Sequence, residues 1–282
     1  MSLWDRLGRL ADRWRRPGPV VAVLRLEGVI APRGRRSLSL QRYAGAIERA
    51  FAQRRLCGVA LAVNSPGGSP VQSQLLYRRI RQLAEEKHIP VFAFAEDVAA
   101  SGGYWLALAA DEIYAEETSL LGSIGVVAAG FGFAEMLGRL GVERRLHTAG
   151  ENKALLDPFL PERERDVERL TELQQELHES FKALVRARRG TKLKGDEAAL
   201  FSGEIFTGRR ALATGLIDGI GDLRGTLRER FGDRLRLRPV TPERRRFARL
   251  SFGLPRRGEV GDAVADLAAQ LEERLIWARF GL

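Results

Sequence analysis

Asp97-Val98-Ala99-Ala100-Ser101-Gly102-Gly103-Tyr104 lies between two apolar runs of different character. Upstream, Val91–Ala95 follows Pro90 as a short continuous apolar stretch, the pattern of a strand buried on both faces of a parallel sheet. Downstream, Tyr104–Ala110 is rich in Leu and Ala and suits a buried helix. The octapeptide is therefore a strand-to-helix junction that carries one serine followed by two glycines. A serine at such a junction has its Oγ lifted clear of the sheet, beside backbone N–H groups that favour negative charge. A nucleophile needs that place, because its tetrahedral intermediate carries an oxyanion. Ser101 equally fits the ordinary role of helix N-cap, and this stretch alone leaves both readings open.

Working outward, Asn64-Ser65-Pro66-Gly67-Gly68-Ser69-Pro70 follows the apolar strand Val59–Val63 and precedes a helical stretch, Val71–Lys87. Adjacent glycines after a strand reach backbone geometry closed to other residues and can turn N–H groups toward a carbonyl oxygen. An ordinary βα turn has the same composition. Further on, Gly150-Glu151-Asn152-Lys153 comes after the strand-like run Val142–His147. A lysine in an apolar or glycine-rich site can lose its proton and act as a base, although most lysines are solvated surface charges. Glycine loop, serine and lysine thus follow one another along the chain.

These motifs in this order resemble the signal peptide peptidase A family of Ser/Lys proteases, the S49 type. The resemblance rests on Val63–Gly68, Ala99–Tyr104, Thr118–Val126, Gly150–Lys153, Phe206–Gly208 and Gly215–Asp218, and it covers about Val20 to Leu227. It implies Ser101 as nucleophile, Lys153 as general base and Ser123 as the hydroxyl that holds the lysine. The backbone of Gly67, Gly68 and Gly102 would form the oxyanion hole. It further implies an α/β fold with a crotonase/ClpP-like superhelical core of parallel sheet and helices, plus additional terminal helices. No cofactor is implied, and the chain would be a short, single-copy form working as a homo-oligomer. Its substrates would be peptides, or unfolded and membrane-associated segments such as signal-peptide remnants. Two other classes stand beside this reading: a crotonase-like acyl-CoA enzyme, and a catalytically inert scaffold or regulator.

The residue inventory agrees with a histidine-free mechanism. His88 and His178 lie in charged helical stretches, which leaves His147 as the competitor for the base. Cys57 has no Cys or His partner and reads as a small buried hydrophobe, and no spacing suggests a metal site. Strands are expected near Val20–Leu26, Val59–Val63, Val91–Ala95, Glu112–Ala115, Ser123–Val127 and Val142–His147. Helices fit Leu40–Arg54, Val71–Lys87, Gly102–Ala109, Phe133–Leu140, Glu162–Arg189 and Gly208–Thr214. Their alternation predicts a parallel sheet flanked by helices.

The 282 residues carry a formal net charge of +10, and Arg224 to Leu282 holds 14 Arg against 8 Asp and Glu. That balance suits an anionic membrane surface; no zinc-knuckle, aromatic or helix-turn-helix signature points to nucleic acid. Residues 1–16 place Leu3, Leu7, Leu10 and Trp14 on one helical face among arginines, which fits either a membrane surface or a neighbouring subunit. The tail repeats the pattern through Val260, Val264, Leu267, Leu271 and Leu275. Neither a transmembrane run nor a signal-peptide core is evident, so the expected address is cytoplasmic or peripheral on the cytoplasmic membrane face. Three segments result: a basic amphipathic start over 1–17, a peptidase domain over 18–230, and a basic extension over 231–282.

Overall fold

The computed structural model describes residues 18–34, 37–242 and 274–282. The expected helix over 1–16, the clusters Arg244–Arg246 and Arg256–Arg257, and the stripe from Val260 to Leu271 lie outside the described residues. The described chain divides into two compact units, one comprising residues up to 124 with those from 185 on, the other residues 125–184.

The first unit is built on a sheet with the strand order β6-β5-β3-β2-β1-β8. Its strands are β1 (Val20–Glu27), β2 (Leu56–Ser65), β3 (Val91–Ala100), β4 (Glu112–Ala115), β5 (Leu120–Gly122), β6 (Ile205–Thr207), β7 (Gly219–Ile220) and β8 (Arg236–Val240). Every pairing is parallel except β5 with β6. β2 and the first half of β3 are buried on both faces, which is why they read as unbroken apolar runs.

β3 outlasts its apolar run by five residues. Its first half pairs with β4 through Phe92–Ala95, and its second half pairs with β5 through Val98–Ala100. Against β2 the register slips between Val63 and Ser65, where Glu96 and Asp97 are accommodated. Those carboxylates are partnered: Arg25 donates to Glu96 at 2.7 Å, and Asn64 Nδ2 donates to Asp97 at 2.7 Å. The charged pair therefore bends and forks the strand without ending it.

Helices α1 (Leu40–Phe51), α2 (Pro70–Lys87) and α3 (Gly102–Ala107) follow β1, β2 and β3, in the alternation expected for parallel strands. α2 begins at Ser69, whose side chain accepts from Gln72 N–H, with Pro70 in the first turn. It buries Ser73, Leu76, Ile80, Leu83 and Ala84, one face at helical spacing. α6 (Glu197–Leu200), α7 (Gly208–Ala213) and α8 (Leu223–Phe231) complete this unit. Leu227 of α8 packs with Val21, Ala60, Phe92 and Phe94 on the face of the sheet opposite Leu24 and Leu26.

The second unit holds α4 (Ala134–Arg139) and most of α5 (Glu164–Arg189). Two strand expectations fail. Val142–His147 is exposed and irregular; its unit offers no strand to pair with, and a strand exists only by pairing. The strand expected over Ser123–Val127 sits upstream as β5, because positive φ at Gly122 (89°) and Ser123 (51°) ends the extended backbone there. Among the described residues, no helix is long and apolar enough to cross a membrane.

Candidate active site

β2 delivers the chain into the loop Pro66–Ser69, where Gly67 and Gly68 have φ of 103° and 136°. Both sites exclude a side chain. A Cβ on Gly67 would lie 2.8 Å from Gly102 N and from Ser101 Cβ, and one on Gly68 would lie 2.1 Å from the Ile30 carbonyl oxygen. The loop is tied from two sides. Ile30 N–H donates to Gly67 O at 2.8 Å, and Ser69 N–H donates to Ile30 O at 2.7 Å. From within, the fully buried Ser65 accepts the Gly67 N–H on its Oγ at 3.2 Å.

Ser101 stands at the end of β3 with φ 51° and ψ −121°, and it is only half-buried. A non-glycine residue in this region stores about 1–3 kcal/mol of strain, and such strain gathers at functional sites. Ser101 occupies the N-cap position of α3, yet its side chain makes no capping hydrogen bond. The hydroxyl is thus presented at the junction without being used to start the helix. Gly102 opens α3, so its N–H belongs to the first turn, where donors have no intrahelical acceptor. A Cβ on Gly102 would meet Ser73 Oγ at 2.6 Å, and one on Gly103 would meet Ser65 O at 2.4 Å. Only glycine allows α3 this close to α2 and to the end of β2.

The pairing of Ala100 with Gly122, and the bond from Ser101 N–H to Gly122 O at 2.8 Å, set Ser123 on the neighbouring strand end. Ser123 is half-buried, and its N–H donates to Glu204 O at 2.8 Å. Gly67, Gly68, Ser101, Gly102 and Ser123 therefore come together in one unit. Lys153 belongs to the other unit, in an exposed turn where its N–H donates to Gly150 O at 3.2 Å.

Behind α3 is a network to which the sequence reading assigned no role. Tyr104 is fully buried and donates its hydroxyl to Leu216 O at 2.7 Å. Burial pushes its phenol well above the ordinary range. Arg189, 3% exposed, donates through Nε to Gly215 O at 2.9 Å and through Nη1 to Asp218 at 2.7 Å. Asp218 also accepts from Lys192 at 2.7 Å and from Ile113 N–H at 2.8 Å. Burial works to raise the Asp218 carboxyl, but the bonds from Arg189, Lys192 and Ile113 outweigh it and hold it below its ordinary value. The only advance signal was the presence of Gly215–Asp218 among the matching motifs.

The remaining candidates are poor ones. His88 caps the end of α2 and is exposed, as is His147 in the second unit. Cys57, expected to be buried, is half-buried; its Sγ donates to Val20 O at 3.3 Å, and burial pushes the thiol up, away from a reactive thiolate. No cluster of metal-ligating side chains occurs among the described residues.

The family model Peptidase family S49 matches residues 83–230, a span that contains Ser101, Ser123 and Lys153. The chain is 50% identical over 283 residues to a Na(+)/H(+) antiporter NhaA of Brucella abortus (strain 2308), covering 96% of this chain and 38% of that protein. It is 38% identical over 167 residues to the chloroplastic serine protease SPPA of Arabidopsis thaliana, covering 58% of this chain and 24% of that one. The chain thus spans well under half the length of these relatives. Among solved structures, a mutant of the 1510-N membrane-bound stomatin-specific protease in complex with a substrate peptide aligns with TM-score 0.50 at 15% identity. The alignment covers 81% of this chain and 94% of that one. That likeness gives the fold, a ClpP/crotonase-like α/β architecture with a mostly parallel sheet. With more than half of its length matched by the family model, the chain belongs to peptidase family S49, whose members are serine peptidases.

Proposed function

We propose that this chain is a serine endopeptidase that cleaves peptides and unfolded or membrane-associated segments through a Ser101–Lys153 dyad. The observation that carries the reading is the Ser101 backbone: a left-handed φ at a strand-to-helix junction, with the hydroxyl unused as a cap and glycines pressed against it. Lys153 and Ser123 enter through the sequence resemblance. Ser101 Oγ attacks the scissile carbonyl carbon while its proton passes to the neutral Lys153 amine. Lys153 returns that proton to the amide nitrogen, the C–N bond breaks, and an acyl-enzyme remains. A water that gives its proton to Lys153 then attacks the ester carbon, and Ser101 recovers its proton as the acid product leaves. Ser123 holds the amine in place.

The Gly67–Gly68 loop and Gly102 receive the oxyanion. Because Gly67 N–H is already bonded to Ser65 Oγ, Gly68 and Gly102 are the principal donors. Apolar residues close to the site in sequence, Leu120, Leu121, Val126, Val127 and Phe131, favour small or apolar side chains beside the cut. Peptides are the partners. A homo-oligomer, and contact with an anionic cytoplasmic membrane face through residues 1–16 and the basic tail, complete the proposal. Light scattering and vesicle co-sedimentation test these two points.

A fluorophosphonate probe tests the core of it. The expected result is labelling of the whole chain that disappears in Ser101→Ala. Labelling that survives this change overturns the assignment, and absence of labelling in the parent favours the acyl-CoA or inert alternatives.

A further inference from the structure

A cavity of about 740 Å³ opens on the sheet face that carries Arg25, and none of Gly67, Ser101 or Ser123 lines it. Its floor crosses four neighbouring strands through Val23, Ala62, Phe94 and Leu237 of β1, β2, β3 and β8. Its edge bears the carboxylates Glu96, Asp97, Glu116 and Asp222 against two cations, Arg25 and Arg224. Arg25 is neutralised locally by Glu27 at 2.8 Å and Glu96 at 2.7 Å, which leaves the rim acidic. An apolar floor within an acidic rim suits a cationic segment with apolar side chains.

Such a segment already sits there. Phe280 and Leu282 form part of the cavity wall, and they belong to Arg274-Leu275-Ile276-Trp277-Ala278-Arg279-Phe280-Gly281-Leu282, which has two arginines and no acid. Residues 274–278 are helical; Ile276, Trp277 and Phe280 are half-buried while Leu275 and Leu282 stay 70% and 57% exposed, so the segment covers the cavity only in part.

We propose that this cavity is a peptide-binding exosite, separate from the Ser101 junction, that takes the apolar side chains of a basic peptide segment, with residues 274–282 as its resident in cis. As a binding site it stands by itself; its use in cleavage rests on the peptidase reading above. Ala95–Asp97 on its edge precede Ser101 by four to six residues of β3, roughly 13–20 Å of extended strand. A docked segment of about four to six extended residues is long enough to cover that distance.

The test is fluorescence anisotropy with a labelled nonapeptide of the 274–282 sequence, titrated into the whole chain carrying Ser101→Ala so that no cleavage intervenes. Replacing both Phe280 and Leu282 by Ser should free the cavity and tighten binding by about tenfold, because the resident then no longer competes. On that background Glu96→Gln with Glu116→Gln should weaken binding by about tenfold, as should about 0.5 M salt. Leu237→Trp, which fills the floor without changing charge, should weaken it too, and thermal melts separate this from misfolding. Equal binding by the parent and the freed variant, or by the freed variant with and without the carboxylate changes, overturns the proposal. So does a freed variant that ignores the peptide but has lost affinity for anionic vesicles, since residues 274–282 are then a membrane contact. A probe that binds here while fluorophosphonate labelling fails sinks only the peptidase reading.

Discussion

Around Ser101, every other residue from Val98 to Ala110 is buried, whereas none of residues 125–165, which include Lys153, is buried. The Ser101 junction has its geometry imposed by a core. Gly67, Gly102 and Gly103 pack at distances no side chain tolerates, and the Tyr104–Leu216 bond holds the helix from behind. The Lys153 segment exposes Val127, Phe131, Leu140 and Val142, at 69%, 82%, 67% and 52%, and it carries solvent-exposed ion pairs such as Arg165 with Glu151. Packing density decides how precisely a side chain is placed. The proposed nucleophile is thus prepared within its own unit, while the proposed base is carried on a segment without a core. Substitutions on the two sides should expose that asymmetry.

The largest expected effect is chemical. Ser101→Ala and Lys153→Ala should each lower turnover by at least about 10³-fold while leaving the melting temperature unchanged, because each removes a catalytic group and no core contact. If both residues act within one chain, mixing the two inactive variants restores nothing. Recovered activity in the mixture would show that Lys153 serves a neighbouring copy.

Next comes the network behind Tyr104. Arg189→Ala removes a buried guanidinium, leaves the half-buried Asp218 with only Lys192 and the Ile113 N–H, and should cost about 1.5–3 kcal/mol, measured by denaturant unfolding. Because the folded state holds the Asp218 carboxyl below its ordinary value of 3.8, its contribution is complete above that pH. It is lost as pH falls through the lowered folded value. The parent should therefore lose stability in that acid window, and Asp218→Asn should flatten the loss.

Glycine substitutions sharpen the contrast most directly. Gly67→Ala and Gly68→Ala combine a left-handed backbone with contacts under 3 Å, so at least about 1–3 kcal/mol of stability should be lost, together with activity. In the second unit, a Cβ added at Gly130 or Gly132 would meet nothing within 4 Å, so Ala there should shift stability by no more than about 0.5 kcal/mol. A large loss at Gly130 or Gly132 would mean that a partner covers that segment.

Much of this was legible in advance where local physics decides. β1 starts at Val20 and α2 ends at Lys87 as expected, because apolar period and capping chemistry are written residue by residue. β8 and α8 were missed, since Arg236-Leu237-Arg238-Pro239-Val240 gains its strand character only by pairing with β1. The role of Ser65 was hidden as well: nothing in Asn-Ser-Pro-Gly-Gly says that its hydroxyl turns inward to Gly67.

By itself the sequence determined the order of glycine loop, serine and lysine, the runs of β1, β2 and β3, and the need for glycine at the loop. These follow from backbone sterics and hydrophobic period, which act over a few residues. Only the tertiary structure decided that β3 continues past Glu96 and Asp97, because the groups that donate hydrogen bonds to them, Arg25 and Asn64, come from other strands. It likewise decided that Ser101 is strained and unused as a cap, and that Val142–His147 is no strand. Each of these depends on groups far apart in the chain, and no local pattern encodes which of them will meet.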